Sequence, residues 1–214
     1  MSSDFYARST LTVARDLLGK KLVRIISYTP NKTTKLSGTI VETEAYGFTD
    51  DPASHAYNGL TFRNSVMFGA VGRAYIYFIY GNHFCVNISA RSDKVKAGAV
   101  LIRALEPLEG IDEMKAFRKT NETLSLTSGP GRLCQALNIN LSLNGCNVTD
   151  AQGELHIEYG PKPALIVESA RIGINRGVDK KWRFIVADDI RKGHLNRFAS
   201  RKMSTSVRLL YSRY

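Results

Sequence analysis

Gly81-Asn82 stands between two extended-type runs, Ala74-Tyr-Ile-Tyr-Phe-Ile-Tyr80 and His83-Phe-Cys-Val-Asn-Ile-Ser89. β-Branched and aromatic residues flanking a Gly-Asn pair predict a tight antiparallel hairpin, because such a pair tolerates the positive φ that a short turn demands. Tyr80 and His83 then fall at its tip, and a large aromatic stands exposed on a protrusion. A second run, Gly38-Thr-Ile-Val-Glu-Thr-Glu-Ala-Tyr46, carries Glu42 and Glu44 at strand spacing, so both carboxylates point to one face. Like charges at that separation can raise a pKa, a common preparation of a general acid or base, and a nearby Arg can cancel the effect. Tyr75 and Tyr77 share a face of their own strand. If that face meets the one bearing Glu44, the result is a pocket with aromatic walls and a carboxylate floor, suited to a flat, π-rich ligand.

A chain of 214 residues can bury a substantial core, and the expectation is one domain spanning 1–214, with two small ones as the alternative. Its 30 Lys and Arg against 19 Asp and Glu leave a net charge of +11 and a pI near 9.7. An excess of this size predicts a polyanionic partner, with nucleic acid ahead of acidic membranes or heparin-like polymers. A basic but unspecialised enzyme is the plainer reading. Met1 to Thr10 lacks the basic and apolar blocks of a secretion signal, and no apolar run approaches the roughly 20 residues that span a bilayer. Cys85, Cys134 and Cys146 are widely spaced and form no Cys-x-x-Cys pair, which predicts small buried thiols in a reducing, intracellular setting.

Ser9 or Thr10 can cap a helix whose Val13, Ala14, Leu17 and Leu18 share a face, with Gly19 at its stop. Lys21 to Tyr28 reads as a strand that turns at Pro30-Asn31 into the Glu42/Glu44 run. Gly47 to Gly72 is a long polar connection holding Asp50-Asp-Pro52, His55 and Arg63-Asn64, where ligand contacts are the expectation. Ala99 to Leu105 is a buried-strand pattern broken by Arg103, which calls for a carboxylate partner. Ile111 to Lys119 is helix-like, and Ser128-Gly-Pro-Gly-Arg132 opens a further helix with Ser128 as its cap. That N-terminus, with Arg132 beside it, is either a phosphate site or an ordinary capped helix. Short strands follow at Leu155 to Tyr159, Ala164 to Glu168 and Trp182 to Val186, then a basic tail from Arg191.

Several chemistries lack their signatures. The four His form no metal pattern, so no metal ligands are assigned. No Gly-x-Gly-x-x-Gly, P-loop or Gly-x-Ser-x-Gly is present, so no cofactor and no serine nucleophile are expected.

Taken together, Val41-Glu-Thr-Glu-Ala-Tyr46, His55, Arg63-Asn64, Tyr75-Ile-Tyr-Phe-Ile-Tyr-Gly81, Asn87-Ile-Ser89 and Leu101-Ile-Arg-Ala-Leu-Glu-Pro-Leu-Glu-Gly110 resemble the alkyladenine (methylpurine) DNA glycosylase family. Ser128-Gly-Pro130, Leu133-Cys-Gln-Ala-Leu137 and Ala170-Arg-Ile-Gly173 extend the similarity. The resemblance implies a mixed α/β (α+β) domain with a curved antiparallel sheet, flanking helices and a protruding hairpin that enters the DNA minor groove. It implies a monofunctional enzyme of base excision repair, without cofactor, acting as a monomer on duplex DNA that contains damaged purines. Glu44 would activate water, held by Arg103 and the backbone carbonyl of Ile172. Tyr46 and Tyr77 would sandwich the flipped base, with His55 at its edge and Leu101 and Ile172 in the pocket. Asn87 would crowd the exocyclic amine of normal guanine. Tyr80 would wedge into the duplex beside Gly81 and Asn82, with Arg63 and Arg132 on the DNA.

This chain also departs from the family. Phe62 stands where Pro often precedes Arg-Asn, Phe68-Gly-Ala-Val71 lacks a basic residue, and the tip carries Asn82-His83 in place of bulkier residues. Two alternatives compete: a catalytically silent module that binds distorted DNA, and a hydrolase or transferase of free nucleosides. Retention of Glu44 with Arg103 argues against the first, while an exposed Tyr80 and the +11 charge argue against the second.

Overall fold

The computed structural model describes residues 1–79, 81 and 83–187. Its long central strand forms over a run rich in β-branched residues, Thr33, Thr34, Thr39, Ile40, Val41 and Thr43. This strand, β2 (Lys32–Tyr46), follows β1 (Lys21–Thr29) through the turn expected at Pro30-Asn31. β3 (Ala74–Ile79), β4 (His83–Ser89), β5 (Ala99–Glu109) and β6 (Leu155–Glu158) complete the main path, in the order β3-β4-β5-β2-β1-β6. β7 (Ile166–Ser169) pairs with β8 (Arg183–Val186), which pairs in turn with the C-terminal part of β2. Every pairing is antiparallel, and the eight strands curl into a half-barrel. The mixed α/β class with a curved antiparallel sheet is therefore as the sequence implied.

β2 owes its three partners to its length: β5 runs along one edge, and β1 and then β8 share the other. Two of the three register shifts in the β2–β5 ladder fall together, passing from Ile40↔Leu105 through Glu42↔Ala104 to Thr43↔Ile102. Val41 and Arg103 are thereby skipped. Such bulges re-aim a side chain, and here they turn Arg103 onto the carboxylates of β2.

Helices cover the sheet. α1 (Thr10–Leu17) starts where the Ser9 side chain accepts the Thr12 N–H at 3.2 Å, and it buries Val13, Ala14 and Leu17. The Thr43 hydroxyl donates to the Ala14 carbonyl at 2.8 Å, fixing α1 over the C-terminal part of β2. α2 (Ser65–Phe68) is a single turn, and α3 (Ile111–Arg118) packs beside α4 (Pro130–Ala136). Gly129, rather than Ser128, occupies the cap of α4, and no side chain caps it. Ser128 is held in an extended bridge to Ala104, which removes it from the helix, and its hydroxyl accepts from Arg132 at 3.2 Å.

The main core lies between these helices and the sheet. A second, smaller core of Ala56, Met67, Tyr75, Ala97 and Ala99 packs beneath the 47–72 connection. That long stretch is thus anchored by its own apolar contacts. Among the described residues no helix is long and apolar enough to cross a membrane. All three cysteines are free thiols, with Cys85 and Cys134 buried.

Candidate active site

Five residues form one row across the sheet: Tyr75 opposite Asn87, Asn87 opposite Leu101, Leu101 opposite Glu44, and Glu44 opposite Arg183. Directly opposed residues of paired strands share a face. Strand pairing alone therefore lines up Asn87, Leu101 and Glu44, three of the residues expected at the site, although they are distant in sequence.

Glu44 is fully buried. Its Oε2 accepts the Tyr46 hydroxyl at 2.8 Å, its Oε1 accepts the Ile172 N–H at 2.8 Å, and Arg103 Nη1 lies 3.4 Å from Oε1. A carboxylate withdrawn from water requires donors of this kind. Towards the carboxylate itself, Ile172 contributes its N–H. β7 ends at Ser169, and the chain then bends so that a free amide faces the acid.

Glu42 takes a different part from the one expected. Arg103 Nε donates to its Oε1 at 2.8 Å and Arg183 Nε donates to the same oxygen at 2.5 Å. Burial alone would raise its pKa, but the two guanidiniums outweigh that and hold it below the ordinary value. It therefore remains charged, and its role is to position Arg103. Burial opposes the Arg103 charge as well, yet Glu44 and Glu42 beside it push its pKa above the usual arginine value. The carboxylate partner that Arg103 called for proves to be a pair.

Asp51 and Arg171 form a second buried ion pair, bidentate at 2.7 and 2.6 Å. Arg171 also donates to the Ala45 carbonyl at 2.9 Å, and its guanidinium lies over the rings of Tyr46, 4.7 Å from the centroid, and Trp182, at 5.2 Å. Asp51 accepts the Gly47 N–H at 2.9 Å. One face of Tyr46 is thus backed by a fixed cation, and Ile172 is anchored by its neighbour. Sequence reasoning missed Asp51, Arg171 and Arg183 as site residues. The signals were Asp50-Asp-Pro52 and Ala170-Arg-Ile-Gly173, but neither discloses that they meet.

The aromatic rim comes from β3 and the connection before it. His55 Nδ1 lies 2.9 Å from the Tyr75 hydroxyl, and its ring stands edge-on to Tyr77 at 4.6 Å. Burial, then the Arg63 charge, hold the His55 pKa below its ordinary 6.5, so the ring is neutral at pH 7. Burial pushes Tyr75 up to about 12 despite Arg63. Tyr46 and Tyr77 are raised as well, Tyr46 by burial and the Glu44 charge, Tyr77 by burial and Cys85, with Glu44 adding to it. Asn87 is buried and donates its Nδ2 to the Tyr75 carbonyl at 3.0 Å, which orients its amide. Leu101 is buried beside it.

Arg63 reaches β3, donating to the Phe78 carbonyl at 3.2 Å, with its guanidinium 5.5 Å from the Tyr77 ring centroid. Gly131 lets α4 close against the start of β4, where a Cβ would come within 3.0 Å of His83 Cγ, and Arg132 is the next residue of that helix, its guanidinium donating to Ser128. Gly81, at φ +73°, lies in the turn joining those strands. Tyr80, Asn82 and the basic tail from Arg191 lie outside the described residues.

A carboxylate held by two hydrogen-bond donors and an arginine beneath an aromatic rim, on a strongly basic chain, fits a DNA glycosylase, a DNA-repair hydrolase acting on alkylated bases, and known proteins agree. The profile of the family described as methylpurine-DNA glycosylase matches residues 4–190. Proteins named "Putative 3-methyladenine DNA glycosylase" are similar in sequence: that of Methanocella arvoryzae is 48% identical over 85% of this chain and 89% of its own length. That of Carboxydothermus hydrogenoformans is 46% identical over 92% and 97%, and that of Methanoculleus marisnigri 46% identical over 84% and 91%. The chain belongs to the methylpurine-DNA glycosylase family.

Proposed function

We propose that this enzyme flips damaged purines out of double-stranded DNA and hydrolyses their N-glycosidic bond with a water activated by Glu44, leaving an abasic site on an uncut strand. The observation that carries this reading is Glu44 itself, fully buried, gripped by Tyr46, Ile172 and Arg103, at the foot of the rim of Tyr77 and His55. The water gives its proton to the Glu44 carboxylate as its oxygen bonds to C1′ and the base departs with the glycosidic electron pair. Positive charge on the sugar in the transition state is stabilised by the same carboxylate. N3- and N7-alkylated purines, the 3-methyladenine and 7-methylguanine class, leave as neutral bases and need no acid. Hypoxanthine and ethenoadenine complete the lesion class and, being uncharged in the nucleotide, leave as neutral bases only after taking up a proton at N7.

Tyr46 and Tyr77 stack on the extruded base, neutral His55 meets its edge, and Leu101 and Asn87 close the pocket against the exocyclic amine of normal guanine. Extrusion costs a few kcal/mol, least for damaged or mispaired bases. Tyr80 offsets it by filling the vacated stack, flanked by Gly81 and Asn82, while Arg63 and Arg132 hold phosphates. The enzyme works as an intracellular monomer without a cofactor.

The decisive test is base release from duplexes carrying one 3-methyladenine-type lesion, hypoxanthine or ethenoadenine, read as alkali-sensitive cleavage for wild type and Glu44→Gln. Wild type is expected to release base, and Glu44→Gln to be slower by roughly a hundredfold to ten-thousandfold, the range of general base catalysis. Equal rates would remove Glu44 from the chemistry.

A further inference from the structure

Phe62 is 100% exposed, an arrangement that leaves a large apolar ring wholly in water. It does not sit on a slack loop. Asn64, buried at 2% exposure, accepts the Thr61 N–H at 2.7 Å and donates to the carbonyls of His55 and Gly59, both at 2.9 Å. The Asn64 N–H returns to Thr61 Oγ1 at 3.3 Å, and the Ser65 hydroxyl donates to the Phe62 carbonyl at 3.0 Å. The backbone on both sides of Phe62 is therefore tied down, and the asparagine that fixes this turn also grips His55 at the pocket rim. The next residue, Arg63, bonds the Phe78 carbonyl on β3, the edge strand of the sheet, two residues before Tyr80.

We propose that Phe62 is a second DNA-contacting aromatic, one that lies against base edges and deoxyribose in the minor groove next to the flipped nucleotide. The proposal rests on the glycosylase reading and extends it to a residue on a different element from the β3–β4 turn. Duplex DNA is the occupant that the surroundings favour: the ring is followed directly by Arg63, shares its loop with His55, and belongs to a chain of net charge +11. Apolar and aromatic side chains recur as wedges in minor-groove binding, where unstacked bases offer the flat surface that such a ring lacks in the free protein. A rigid turn lowers the ordering cost of that contact.

The test measures binding to a duplex holding a tetrahydrofuran abasic analogue, and base release from hypoxanthine in duplex and single strand, for wild type, Phe62→Ala and Phe62→Trp. Because the ring touches solvent alone, neither substitution disturbs folding. Phe62→Ala is expected to bind the duplex about tenfold more weakly, as when an aromatic platform is lost. Its single-strand rate at saturating enzyme should be unchanged, and Phe62→Trp should restore duplex binding. Wild-type affinity in Phe62→Ala, with active wild type, would overturn the proposal and leave the glycosylase reading standing. A wild type that neither releases base nor binds the duplex would overturn both.

Discussion

Tyr46 performs two tasks with one side chain: its hydroxyl donates to Glu44 at 2.8 Å, and its ring lies against the Arg171 guanidinium. The two can be separated. Tyr46→Phe keeps the ring and removes the donor to a buried carboxylate, a bond of a kind worth about 1.5–3 kcal/mol. Single-turnover base release should fall on the order of tenfold to a hundredfold by that arithmetic, while affinity for abasic-analogue DNA stays near wild type. A matching loss of affinity would show that the hydroxyl positions the ring rather than the acid. Asn87 makes a similar case. Its amide is oriented by the Tyr75 carbonyl, so Asn87→Ser should enlarge the pocket and let unmodified guanine be excised more readily. Unchanged discrimination in a competition between damaged and normal duplex would remove its gatekeeping role.

At the scale of elements, β2, β5 and β8 meet in a buried cluster that a hydrophobic core does not ordinarily admit. Glu42 and Glu44 are balanced there by Arg103 and Arg183, and Asp51 is balanced by Arg171 in a separate buried pair. Removing one partner of a buried pair leaves the other charge uncompensated, at a cost of about 3–5 kcal/mol. Glu42→Gln should therefore lower the urea midpoint markedly at pH 7. Its pKa in the folded state lies below the ordinary 4.5, so the stability it contributes is complete above that pH and is lost as pH falls through the folded-state value. The unfolding free energy of wild type should consequently drop more steeply below pH 4.5 than that of Glu42→Gln. Parallel acid profiles would show that the cluster is not what acid titrates.

For the whole molecule, a charge of +11 ties function to ionic strength. Neutralised phosphates release counterions, so duplex affinity should fall linearly on a plot of log K against log salt. Arg63→Ala should reduce that slope by about one, the signature of a single lost phosphate contact. A slope equal to wild type would confine Arg63 to its bonds with β3. Much of the architecture was readable in advance: periodicity and turn residues located each strand to within a few positions, because alternation and Pro-Asn or Gly-Asn punctuation are local properties. Ser128 misled because its extended bridge to Ala104 is made by a distant strand, and no neighbour in sequence announces it.

By itself the sequence determined the strand menu, the basic character, the family and the need of Arg103 for a carboxylate partner, all of which are carried by residue type and spacing. Tertiary structure alone decided which charges neutralise which. Glu42 and Glu44 are indistinguishable along β2, since a strand presents both to one face. Only the skipped residue in β5 and the arrival of β8 give Glu42 two arginines and make it a support, while the bend after β7 brings the Ile172 N–H to Glu44 and leaves that carboxylate beneath the tyrosines. The distinction depends on contacts between segments 61 to 141 residues apart, and no local pattern can encode it.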